Sequence, residues 1–205
     1  MPKIVDKRLK RDSIADAALK VFRQLGYHRT RMADIAGAAN VGKGTLYEYF
    51  DNKADILRFA FDRYFDAFRR GSERVMATVG GPAEKLGALI AFALDHVDEW
   101  ADHCAVYVDY LGVGRSGDEA VLLGGIYREM REIIELLVVE GQSEGVIDGE
   151  LEPEGVAQFL LSLYDGIVLH PIFEERRNDP ASLRAAALAI VRRGLRPIPE
   201  EPAQS

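Results

Sequence analysis

Apolar residues return every three to four positions along almost the whole chain, and that rhythm restricts it to helices. In the first segment Ile14, Ala18, Val21, Phe22 and Leu25 form one stripe. Gly26 closes it, as a residue free to take positive φ at a helix C-terminus. A long pattern from Asn52 to about residue 79 carries Ile56, Leu57, Phe61, Tyr64, Phe65, Phe68 and Val75. Gly80, Gly81 and Pro82 open a further helix running through Leu86, Leu89, Ile90, Ala93, Val97 and Trp100, with proline where a helix leaves an N–H unpaired anyway. Residues 118–144 turn Val121, Leu122, Ile126, Met130, Ile133, Ile134 and Leu137 inward. A loop over 145–153 leads into a broad face of Val156, Phe159, Leu160, Leu163, Tyr164, Ile167 and Val168. Asp179-Pro180 starts a last helix with Leu183, Ala187, Ile190, Val191 and Leu195. Sustained period-2 alternation is missing outside residues 104–117, so the fold class is all-α, and the tail 198–205 is expected to be disordered.

No run approaches the ~18 consecutive apolar residues of a membrane span, and the basic N-terminus has no apolar core behind it to act as a secretory signal. With a single cysteine, Cys104, the chain fits a reducing compartment, and a cytoplasmic location without a membrane partner is expected. A net charge of −7 argues at first against a nucleic-acid partner. Its distribution argues the other way: residues 1–58 hold 12 Lys/Arg against 7 Asp/Glu, and residues 59–205 hold 14 against 26. A basic head on an acidic body lets only the head approach a polyanion.

Three other chemistries compete weakly. Gly112, Gly114 and Gly117 spell G-x-G-x-x-G after the strand-like VYVDYL, but a dinucleotide site needs a parallel sheet that no other segment supplies. The preferred reading there is a short helix ending in a glycine loop. His96, Glu99 and His103 fall at i, i+3 and i+7, a face that could hold a divalent metal beside Cys104. Asp95, Asp98 and Asp102 crowd the same region, so a solvated flank is preferred and no metal is assigned. No nucleophile elbow or other catalytic frame is present, and neither enzymatic activity nor a cofactor is expected.

The informative region is TRMADIAGAANVGKGTLYEYFDNK, residues 30–53. Thr30 is expected to cap a short helix that turns Ile35 and Ala36 inward. Asn40 follows at a tight turn that needs positive φ, with Val41 beneath it. A second helix from about Gly42 to Phe50 packs back through Leu46, Tyr49 and Phe50. A small residue, a left-handed residue four on, an apolar residue next and another five further is helix-turn-helix spacing.

The run from Val41 to Lys53, VGKGTLYEYFDNK, resembles the recognition helix of the TetR family of transcriptional regulators. FRQLGY at 22–27, Thr30 and Asp34-Ile35-Ala36 match that family's first two helices. The resemblance implies that the second helix enters the major groove of double-stranded operator DNA. Lys43 and Thr45 would then reach base edges or phosphates, while Gly42 and Gly44 keep the helix end slim. It also implies DNA-backbone contacts for Tyr47 and Lys53, a histidine-type slot at Tyr49, and a place beside the backbone for Thr30 and Arg31. Lys7, Arg8, Lys10 and Arg11 form a basic lead-in towards phosphate or the minor groove. Glu48 departs from a DNA-friendly pattern and is expected to point away.

Residues 1–51 are accordingly read as a three-helix DNA-binding domain and 52–197 as a regulatory and dimerisation bundle. The resemblance further implies a small-molecule effector cavity, drawn from Phe61, Tyr64, Phe65, Phe68, Phe92, Trp100, Tyr107, Tyr110, Tyr127, Phe159 and Tyr164; few cationic side chains interrupt these apolar faces, so a largely apolar effector, neutral or cationic and not anionic, is expected. A homodimer is expected through Leu160, Leu163, Ile167, Leu183, Ala187, Ile190 and Val191, which makes the operator palindromic. The functional expectation is a transcriptional repressor released from its operator by that effector. The rival reading is a helical ligand-binding or interaction protein without DNA binding.

Overall fold

The computed structural model describes residues 3–111, 118–173 and 179–198. Among the described residues there are nine helices and no strand. They are α1 (Lys3–Leu25), α2 (Met32–Ala38), α3 (Lys43–Tyr47), α4 (Lys53–Met76), α5 (Pro82–Asp95), α6 (Val97–Leu111), α7 (Asp118–Ser143), α8 (Pro153–Phe173) and α9 (Pro180–Gly194). The all-α expectation holds. One detail differs from the periodicity. The helix read from Pro82 through Trp100 is broken at His96, whose φ of −111° and ψ of 11° separate α5 from α6. His96, Glu99 and His103 therefore do not share one helix face, and the ring Nδ1 atoms of His96 and His103 bond Phe92 O and Glu99 O of their own turns. The strand-like run after Cys104 is the second half of α6, so no strand precedes the glycines. Gly112, Gly114, Gly117 and the tail 199–205 lie outside the described residues.

Two compact units divide the chain, Met1–Phe68 with Glu99–Val121, and Arg69–Asp98 with Leu122–Ser205. The division therefore passes through α4, α6 and α7.

In the first unit Ile14, Ala18, Val21 and Phe22 of the α1 stripe lie inside with Ala15, Ile35, Ala36, Leu46, Phe50, Ile56, Leu57 and Phe61, whereas Leu25, its last member, is 43% exposed at the helix end. Each large side chain removed from water contributes roughly 1.5–3 kcal/mol, which is what holds helices as short as α2 and α3 in place. Arg63 ties α4 to α1, donating to Asp12 O at 3.3 Å and pairing with the Asp12 and Asp16 carboxylates.

The second unit has its own core, built from Leu86 and Leu89 of α5, Ile134, Leu137 and Val138 of α7, Ala157, Leu160 and Leu161 of α8, and Val191 of α9. Arg184 of α9 pairs with Asp95 of α5 at 2.8 Å. Asp179 starts α9 by accepting from the N–H groups of Ala181 and Ser182. Ile147 folds back from the α7–α8 loop onto Gly141, where a Cβ would lie 2.5 Å from Ile147 Cδ1. Gln142 pins that loop by donating to Asp148 O and Leu151 O, and Asp148 N–H reaches Leu195 O. No helix among the described residues is long and apolar enough to cross a membrane.

Candidate functional site

The reading motif forms as its spacing predicted. Among the described residues Asn40 is the one non-glycine residue at positive φ, 51°, and Val41 N–H bonds Ala36 O across the turn. Leu46 is wholly buried, and this fixes which way α3 faces. Lys43, Gly44 and Glu48 are exposed, Tyr47 is 45% exposed, and Thr45 and Tyr49 are half-buried. The tyrosine pair splits as expected, with Tyr47 pointing outward. An open crevice of about 320 Å³ at the C-terminal end of α3 is rimmed by Glu48, Asp51, Asp55 and Asp62 beside Arg11 and Arg58. Four carboxylates there repel phosphate, so the Lys43 end is the one suited to DNA.

Several predicted contacts are committed elsewhere. Thr30 is buried, and its hydroxyl donates to Gly26 O at 2.7 Å. It does not cap α2: the N-cap is Arg31, whose N–H donates to the Asp34 carboxylate at 2.8 Å while its side chain stays exposed. The guanidinium of Arg11 lies over the rings of Phe50 and Phe59 at 4.9 and 4.5 Å, folded onto the head and not free as part of a basic arm. Lys7 and Arg8 are exposed.

Lys53 departs most from its expected role as a phosphate grip. Its ammonium donates to Tyr27 O at 2.7 Å, Thr30 O at 3.0 Å and His28 O at 3.1 Å, and stands 4.4 Å over the Tyr27 ring. An ammonium has three hydrogens, and these carbonyls engage all three. Burial lowers its pKa, opposed by the charge of Asp109. Asp109 completes the same junction: its carboxylate accepts from Tyr27 N–H, and its carbonyl faces His28 Nε2 at 2.9 Å. Neither Asp109 nor this role of Lys53 was read from the sequence. Asp102, Val106, Asp109 and Tyr110 share one helical face at i, i+4, i+7 and i+8, but the alternating look of VYVDYL hid that spacing.

The aromatic residues expected to line one effector cavity belong to both compact units. In the first unit Phe61, Tyr64, Phe65 and Trp100 cluster with His103, Tyr64 stacking on Trp100 at 5.5 Å, and Phe68 lies against Tyr64. Burial, helped by the charge of Glu99, raises the Tyr64 pKa far above the ordinary phenol range. Its buried hydroxyl has no hydrogen-bond partner among the described residues. Tyr110 packs edge-on against Tyr27 at 4.7 Å. In the second unit Phe92 rests on His96, and Tyr127 donates to Asp165 at 2.5 Å. Tyr164 alone of the eleven lines the apolar cleft of that unit, with Leu89, Met130, Leu163, Ile167 and Val191 among its other walls. The cleft holds about 50 Å³. Phe159 is 62% exposed and lines no interior; the Tyr107 side chain is outside the described residues.

The predicted dimer set also divides. Leu160, Ala187 and Val191 are buried in the core of their own unit, because α8 and α9 each have an inner face. Of that set Leu163 at 38% and Ile190 at 65% exposure are left outward, beside Phe159, which was expected in the cavity, while Ile167 and Leu183 are half-buried.

Comparison with known proteins agrees with this architecture. Residues 14–59 match the model of bacterial regulatory proteins of the tetR family. Residues 82–196, more than half of the chain, match the C-terminal model of BetI-type transcriptional repressors. The fatty acid metabolism regulator protein of Bacillus subtilis (strain 168) is 28% identical over 191 residues, 92% of this chain and 97% of that protein. Among solved structures, FadR of Bacillus subtilis in complex with stearoyl-CoA aligns with a TM-score of 0.74 at 25% identity, over 89% of this chain and 98% of that one. The fatty acid degradation regulator FadR of Bacillus halodurans gives a TM-score of 0.75 at 25% identity, over 89% and 94%. An N-terminal helix-turn-helix on a helical body of this kind defines a DNA-binding transcriptional regulator. The chain belongs to the TetR family and carries the BetI-type repressor C-terminal region.

Proposed function

We propose that the chain is a cytoplasmic, homodimeric repressor, not an enzyme, that reads a palindromic operator and leaves it when an acyl-thioester effector binds. The observation that carries the DNA half is α3 itself: Leu46 is wholly buried, so Lys43, Gly44 and Tyr47 are turned outward. Lys43 and Thr45 read bases and Tyr47 meets the backbone, while Gly42 lets the helix end approach a phosphate. Thr30, Arg31 and Tyr49 flank that contact. Lys53 supports it from behind.

The effector class is supported by the stearoyl-CoA complex of the Bacillus subtilis relative and by a cleft lined by Leu, Ile, Met, Ala, Val and Tyr side chains. An acyl chain is an apolar ligand for such walls. A cleft of about 50 Å³ is smaller than the ~150 Å³ cavity that takes up benzene, so an acyl chain requires the walls to part. The effector therefore selects a conformer other than the closed one, and population shift follows. The test is anisotropy of labelled genomic fragments selected by the purified protein, titrated with stearoyl-CoA, shorter acyl-CoAs and coenzyme A alone. Release by an acyl-CoA but not by coenzyme A is expected. Stable DNA binding in the presence of every thioester would remove the effector reading and leave the operator reading standing.

A further inference from the structure

The α1–α2 loop, residues 26–31, determines where α2 begins and hence how the following turn presents α3. Two neighbours hold it, Lys53 from α4 and Asp109 from α6. Gly26, at φ +80°, bends the loop so closely over Asp109 that a Cβ there would lie 3.2 Å from Asp109 Oδ2. The carboxylate then accepts from Tyr27 N–H, and the Asp109 carbonyl faces His28 Nε2 at 2.9 Å. Asp102, Val106 and Tyr110 line the same side of α6: Asp102 pairs with Arg23 of α1, Val106 is buried, and Tyr110 packs on Tyr27. The same helix carries Trp100 and His103 against Tyr64 of α4.

We infer that Asp109 is a positioning residue for operator recognition, fixing the pose of the reading head on α6 through the Tyr27 amide. It touches no DNA. Its influence lies in the orientation of α2 and α3, and so falls on sequence-specific binding. Non-specific binding depends on the basic surface alone and is untouched. Asparagine keeps an acceptor at the same distance and preserves the pose. Glutamate keeps the charge but pushes it one methylene further, into the loop that Gly26 brings so close.

The experiment measures affinity for a genomic fragment selected by the wild-type protein and, in parallel, for mixed-sequence DNA, using Asp109→Asn, Asp109→Glu and Asp109→Ala. Loss of an ordinary hydrogen bond converts to roughly two- to tenfold in affinity. Asp109→Glu and Asp109→Ala are expected to lose about that much on the selected fragment, with binding to mixed DNA unchanged. Asp109→Asn should stay close to wild type, and its Tyr27 amide should keep wild-type protection from hydrogen exchange. Should Asp109→Ala fail to fold, the Glu and Asn variants decide the matter, since both retain an acceptor. Wild-type fragment affinity in Asp109→Glu, or equal losses on both DNAs, would overturn the inference. So would an Asp109→Asn protein no better than Asp109→Glu.

Discussion

Lys53 shows how a single side chain can match a family position and still be occupied inside the protein. Three carbonyls and the Tyr27 ring surround its ammonium, so Lys53→Met should cost stability before it costs phosphate contacts. Losing these charge-assisted bonds is worth roughly 1–3 kcal/mol, read from urea unfolding at neutral pH. An unchanged midpoint with weakened binding to all DNA would restore the phosphate role instead. On the exposed side, Lys43→Ala or Thr45→Ala should change the preferred operator sequence in a binding-site selection; identical selected motifs would place α3 wrongly. In the second unit, burial raises the Asp165 pKa from 3.8 and outweighs the Tyr127 hydroxyl, which pulls it down. A carboxyl with a raised folded pKa stabilises the fold below its unfolded value and loses that contribution as pH rises through the folded one. Asp165→Asn should therefore gain melting temperature relative to wild type between pH 4 and pH 7. A gain that shrinks over that interval would mean the Tyr127 bond to the ionised form dominates.

Elements were legible from periodicity, because one apolar stripe is enough to recognise an amphipathic helix. Their ownership was not. α8 and α9 each carry two apolar faces, and composition does not say which one faces the core of the same chain. Burial settles it: Leu160, Ala187 and Val191 are interior, whereas Phe159, Leu163 and Ile190 point outward. Phe159→Asp and Ile190→Asp should leave the melting temperature nearly unchanged and convert the proposed dimer into a monomer in sedimentation at micromolar concentration. Persistence of the dimer in both variants would move the interface to another face. The break at His96 was equally hidden, since α5 and α6 continue one apolar rhythm on either side of it. Gly141 gives a sharper packing test. Alanine there meets Ile147 at 2.5 Å and should destabilise the second unit by about 1–3 kcal/mol, a cost that Ile147→Val in the same chain would partly relieve.

At the scale of the whole molecule, the basic 1–58 segment and the acidic remainder assign DNA binding to the N-terminal segment, with affinity expected to fall steeply as salt rises. The chain passes between its compact units within α4, between Asp98 and Glu99, and within α7. Linkage then requires that an effector which weakens operator binding is itself bound more weakly, by the same factor, when operator is present. The most direct measurement of the central claim is footprinting of the purified protein on the genomic fragment that it enriches at physiological salt. Two protected half-sites related by a dyad, about one helical turn or a multiple of it apart, are predicted, with both lost in a Lys43→Ala, Thr45→Ala double variant. Failure to enrich any fragment over background, or protection spread evenly along the DNA and unaffected by those substitutions, would contradict the account.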